Sequence, residues 1–194
     1  WAHWAEAVLD LGDPALRAPF EAALTDLDPR REVKALLTPV LTALADLPTR
    51  APDARDWALA LVADTLAPLT ENEDVARDAA PAAAVFYAAF GLDDHVRTWL
   101  DHGTHQHSPR WRDRVVLALL QWCAQRGDLQ GASGWLQQVV TPDMRDPAHM
   151  ALARAMAESA PETAVTEHLE AMEDEVRRAA LAAELARVPA VTGT

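Results

Sequence analysis

Between Arg112 and Val188 the chain repeats itself at an offset of 33 residues, and each copy reads as helix, tight turn, helix. One turn falls at Gly127-Asp128 and the next at Ala160-Pro161. Leu119 and Cys123 lie eight and four residues before the first turn, as Leu152 and Met156 do before the second. Trp135-Leu136 and Val139 follow the first turn at the distances at which His168-Leu169 and Met172 follow the second. A period of hairpin length constrains the fold strongly. A single hairpin cannot bury its apolar face alone, so successive hairpins must stack. The expectation is an all-α fold, antiparallel hairpins stacked as a short α-solenoid of roughly ten to eleven helices.

Composition agrees with a helical chain. Alanine dominates, followed by Leu, Asp, Arg and Val, and of these Ala, Leu and Arg form helices well. No segment shows the alternation of β-branched residues that marks strands. Lys and Arg number 17 against 30 Asp and Glu, a formal charge of −13. The basic residues are scattered among carboxylates, which excludes a phosphate-binding surface and hence a nucleic-acid partner. Cys123 stands alone, so no intrachain disulfide framework exists. No apolar run reaches membrane-spanning length without a charge or Pro, so the expected setting is cytoplasmic, with no membrane partner. The sequence opens Trp-Ala-His-Trp without an initiator Met, the expected mark of an excised domain or a trimmed start.

In chain order, Trp4, Val8 and Leu11 have helical spacing, stopped by Gly12-Asp13-Pro14. Asp13 and Pro14 open a second helix to about Leu27. A third runs from Arg31 to Leu47 and carries Pro39, which predicts a kink or break near Leu37. Pro48 and Pro52 bracket a loop, and Asp53 caps a helix from about Ala54 to Ala67. Thr70-Glu71-Asn72-Glu73 matches a capping box and starts a helix that passes Pro81 and ends at Gly91. After Asp101 the residues His102 to Pro109 read as a loop. The last helix, about Glu173 to Val188, lacks a partner and acts as a cap, followed by a frayed tail from Pro189 to Thr194. The domain expectation is one helical-repeat domain over 1–194. Residues 1–70 form two divergent hairpins, and 71–190 hold the repeat hairpins and the capping helix.

The turn glycine, a small residue five on, a bulky apolar residue nine on and another apolar twelve on are Gly127, Ala132, Leu136 and Val139. The second copy supplies Ala160, Val165, Leu169 and Met172, with Ala153 at a close-packing position. A looser unit around Gly91 contributes Ala84 and Tyr87. This pattern, over about residues 78–190, resembles the tetratricopeptide-repeat (TPR-like) superfamily, although Pro142 comes two residues earlier than that family's terminal Pro. The resemblance implies a right-handed superhelix whose first helices line a concave groove for peptides or partner proteins. Carried over by position, the groove residues are Arg114, Gln121 and Gln125, then Arg154 and Glu158, then Arg177 and Glu184. The plainer alternative makes them the solvated face of amphipathic helices.

The one cluster suited to metal chemistry is His95, His102, His105 and His107, near Asp93, Asp94 and Asp101. His95 and His102 share a helix face, so an ion would need the following loop to fold back onto it. A polar, pH-sensitive loop explains the same residues. No phosphate loop, nucleophile elbow or zinc-protease motif is present, and Cys123 sits among Leu119, Leu120 and Trp122 as a buried thiol. No catalytic residue and no cofactor is assigned. Trp99 and Trp135 occupy one repeat position, which favours packing between hairpins.

The sequence therefore points to a non-enzymatic helical-repeat module that binds protein or peptide, an arm or scaffold of a larger protein. Its acidity favours a basic partner, and its terminal hairpins offer a route to a homodimer. The alternatives are a metal-binding protein or metal-dependent enzyme using the four histidines, and a small-molecule effector-binding helical domain near Trp99, Trp111 and Trp122.

Overall fold

The computed structural model describes residues 14–25, 33–66, 73–106, 109–157, 160 and 162–187. All their regular elements are helical, and no strand occurs among the described residues. The chain divides into two compact units, residues 1–99 and 100–194.

In the first unit α1 spans Pro14–Thr25 and α2 Val33–Leu44. A short α3, Leu47–Arg50, leads through a 3-10 turn, Pro52–Ala54, into α4, Arg55–Leu61. A π-helical turn, Val62–Leu66, closes that stretch, and α5 follows at Glu73–Ala89. α2 packs against α5, and the hydroxyl of Thr38 donates to the carbonyl of Asp78 across them at 3.4 Å. On α5 the buried residues Ala76, Ala79, Ala80, Ala83 and Ala84 recur at helical spacing. Their stripe of methyl groups lets a neighbouring helix approach closely. Phe86 and Phe90 extend the stripe, with ring centroids 4.4 Å apart.

Three local expectations change here. Of the kink or break expected near Leu37 the break does not occur, because α2 is one helix through Pro39. An interior Pro costs about 3 kcal/mol, but burial of Leu37, Val40, Leu41 and Leu44 stabilises by about 1.5–3 kcal/mol each. Asp53 does not cap α4: Ala54 takes the cap position, without a side-chain bond. Pro52 starts the 3-10 turn that carries Asp53 inside it, and the Asp53 carboxylate lies 3.9 Å from Arg17. The helix expected from about Ala54 to Ala67 is helical as far as Leu66, but as 3-10, α and π turns in succession and not as one α-helix. The expected helix over 1–11 and the capping residues Thr70 to Asn72 lie outside the described residues.

α6, Asp93–Gln106, crosses the boundary between the units. The loop expected from His102 is helix as far as Gln106. Glycine within a helix costs only about 1 kcal/mol, so Gly103 does not stop it. Gly91 does end α5, because it sits in the left-handed region at φ +70.

The second unit continues with α7, Pro109–Gln125, and α8, Leu129–Leu136, which form one hairpin. α9, Pro142–Ala157, and α10, Glu162–Glu170, form the next. α9 packs on both α7 and α8, and α11, Glu175–Leu185, packs on both α9 and α10. The buried residues follow the same period: Val115, Ala148 and Leu181 lie 33 apart and are 0%, 0% and 1% exposed. α11 begins two residues later than expected because Asp174 is its cap. The Asp174 carboxylate accepts from the amides of Val176 and Arg177 at 2.9 and 3.1 Å.

Candidate functional site

Two local devices recur along the chain. The first is the glycine turn. The amide of Gly127 donates to the carbonyl of Ala124 at 3.1 Å and that of Asp128 to Cys123 at 3.0 Å. Around Gly91 the amides of Gly91 and Leu92 donate to Ala88 and Tyr87 at 3.0 and 2.9 Å. Both are Schellman closures, which need a left-handed residue after the helix and so favour glycine.

The second device was not anticipated from the sequence. Asp113 on α7 is fully buried, and its carboxylate accepts from the amides of Val140 and Thr141 at 3.1 and 2.5 Å. Asp146 on α9, 5% exposed, accepts from the amides of Glu173 and Asp174 at 2.9 and 2.8 Å. The two aspartates are 146 − 113 = 33 apart, and each holds the backbone 27 and 28 residues ahead. Each first helix thus fixes the entry of the next hairpin's first helix with charge-assisted bonds. The signal was legible as the dipeptide Arg112-Asp113 recurring as Arg145-Asp146.

Between α7 and α9 lies an open groove of about 590 Å³. Gln121, Gln125 and Gly127 line it from α7 and its turn, and Ala151, Arg154 and Ala155 from α9. Three of the expected groove residues, Gln121, Gln125 and Arg154, therefore meet on one surface. Arg154 also reaches α11, where its Nε and Nη2 donate to the two carboxylate oxygens of Glu184 at 2.9 Å each. This fork holds Glu184 below the usual carboxylate range and raises Arg154. Both side chains are about half exposed, so solvent screens most of its value.

Arg114 is exposed on α7 and does not line this groove. Arg177 is exposed on α11 and pairs with Asp174 at 3.2 Å within its own first turn. Glu158 lies outside the described residues.

Among the four candidate metal ligands His95 is exposed and stacks on Tyr87, centroids 4.8 Å apart. His102 and His105 fall on the last turns of α6, their side chains outside the described residues, and His107 lies outside them altogether. A continuous helix places His102 roughly 10 Å further along the axis than His95. Among the described residues no group of three or more His, Cys, Asp or Glu is arranged to hold a metal.

Cys123 is buried, and burial followed by the nearby Asp128 carboxylate pushes its thiol up, away from the thiolate a nucleophile needs. Trp111 is buried, while Trp122 is half-buried with the Arg126 guanidinium 4.6 Å above its ring. Neither lines the groove. No helix among the described residues is long and apolar enough to cross a membrane.

No protein-family model matches the sequence, and no match is found among curated proteins or solved structures.

Proposed function

We propose that this chain is a non-enzymatic helical-repeat module of the TPR-like, α-solenoid kind, and that it binds a protein or peptide segment along the α7–α9 groove. The observation that carries this reading is the convergence of Gln121, Gln125 and Arg154 on one open groove between successive first helices. The recurrence of the aspartate bonds at 33 residues supports stacking of like units. Two exposed glutamine amides offer donors and acceptors to a peptide backbone without demanding a charge. The formal charge of −13 favours a basic partner by electrostatic steering. In this reading the module serves as an arm or scaffold of a larger cytoplasmic assembly.

The test is affinity capture from native lysate with the wild-type chain beside a Gln121→Ala, Gln125→Ala double variant. Both substitutions are on the exposed face and leave the α7 core untouched. The reading expects a partner retained by the wild type and reduced at least about tenfold by a helical, folded variant, a loss of about 1.4 kcal/mol. Equal capture by both would move the binding surface elsewhere.

A further inference from the structure

His149 on α9 and His168 on α10 face each other with Nδ1 atoms 3.0 Å apart and ring centroids 5.3 Å apart. Both are half-buried. At that distance one Nδ1 carries a hydrogen and donates while the other must be bare and accept. One added proton is tolerated, because it can sit on the far nitrogen of the donor ring and leave the shared bond intact. A second proton cannot be placed without setting one N–H against another. We propose that the His149–His168 contact is an acid-sensitive catch, holding α9 to α10 until the second imidazole is protonated and then releasing them.

The surroundings point the same way. Burial lowers both histidines, and the charge of His168 lowers His149 further. The neighbouring charges that act on the rings are Asp146 and Arg145 on α9, of opposite sign, and Glu167 on α10. From α7, α8 and α11, which pack on these helices, no charge among the described residues acts on either ring. Folding therefore favours the neutral rings. Above the ordinary histidine value of about 6.5 the contact contributes its full stability. As the pH falls below that value the opened state binds protons more readily, and the stability is lost toward the lowered folded values.

Release has a structural consequence. His149 is one turn from Asp146, which holds the entry of α11. Beneath the hairpin lies the apolar cluster of Ala153, Met172 and Leu181, with Met150, Val165 and Leu169 packed on it. Acid opening would present that cluster to solvent or to a partner.

The sister hairpin supplies the control. Val116 and Trp135 stand 33 residues before His149 and His168 and make no such pair. The experiment is backbone hydrogen exchange on the full chain with chelator present, at pH 7.5 and 5.0, corrected for intrinsic rates. Wild type is compared with the His149→Val, His168→Trp variant. We expect opening of α10 relative to α7 to rise in the wild type by about tenfold per pH unit between the ordinary histidine value and the lowered folded one, and to be pH-independent in the variant. In parallel, NMR of the wild-type imidazole carbons should show two separated steps, with opening tracking the lower one. Equal acid opening in both proteins overturns the proposal. So does independent titration of both rings near the ordinary value without loss of protection, a result that needs no variant to fold.

Discussion

Asp113 is a single carboxylate with no exposed surface, and two backbone amides depend on it. Removing an acceptor strands its buried donors, which costs more than the bond itself contributed. Asp113→Ala should therefore destabilise the chain by about 2–4 kcal/mol, and Asp113→Asn, which retains a carbonyl acceptor, by about 1 kcal/mol. Urea denaturation midpoints distinguish them, and equal losses would mean the charge rather than the acceptor matters. Gly127 offers a cleaner residue-scale case. It sits at φ +74 with nothing within 4 Å of where a Cβ would be, so Gly127→Ala meets no steric neighbour. Only the left-handed backbone opposes it, at about 1–2 kcal/mol. Gly91→Ala, at φ +70 and equally open, should lose a similar amount by the same measurement.

At the scale of the element, the helix tally and the two glycine turns were legible, because apolar spacing and Schellman glycines are local signals. What failed was local reasoning where a distant face decided the outcome. Pro39 was expected to kink or break α2, and no break occurs: the Leu-rich face packed against α5 keeps the helix continuous. The histidine-rich loop was expected from polarity, yet α6 continues, since polarity alone does not terminate a helix. Among the candidate site residues, Gln121, Gln125 and Arg154 were placed by repeat position. Arg114 and Arg177 share that logic yet do not line the groove. The buried aspartates escaped notice because a lone Asp on a helix reads as solvated until its acceptors' partners, far ahead in sequence, are known. α11 gives a test at this scale. Leu181 is 1% exposed at the position of Val115 and Ala148, whereas the Arg154–Glu184 fork is half in water. Leu181→Ala should cost about 2–4 kcal/mol and expose α11 to limited proteolysis. Glu184→Gln, whose pair with Arg154 is screened by solvent, should leave both the urea midpoint and the digestion pattern unchanged.

For the molecule as a whole, a formal charge of −13 is a property of the surface field and says little about the fold. If the partner is basic, its affinity should fall by about tenfold between 50 and 500 mM NaCl, as screening shortens the reach of that field. Titration of the captured partner at the two salt concentrations decides this, and an affinity indifferent to salt would assign binding to the groove's uncharged amides. The same field predicts no retention of duplex DNA at either concentration, which a gel-shift titration checks.

The buried aspartates also set a rule for how a chain of this design changes length. Each reaches 27 and 28 residues ahead, and where the turn spacing is 36 instead of 33, between Gly91 and Gly127, the corresponding position 77 holds Arg. One inserted residue rotates everything beyond it by about 100° around a helix and carries the awaited amides away from the carboxylate. Duplication or loss of a whole 33-residue segment leaves every such pairing in register. Tolerated length variants should thus differ by complete hairpins, with small insertions confined to the stretches that no carboxylate spans.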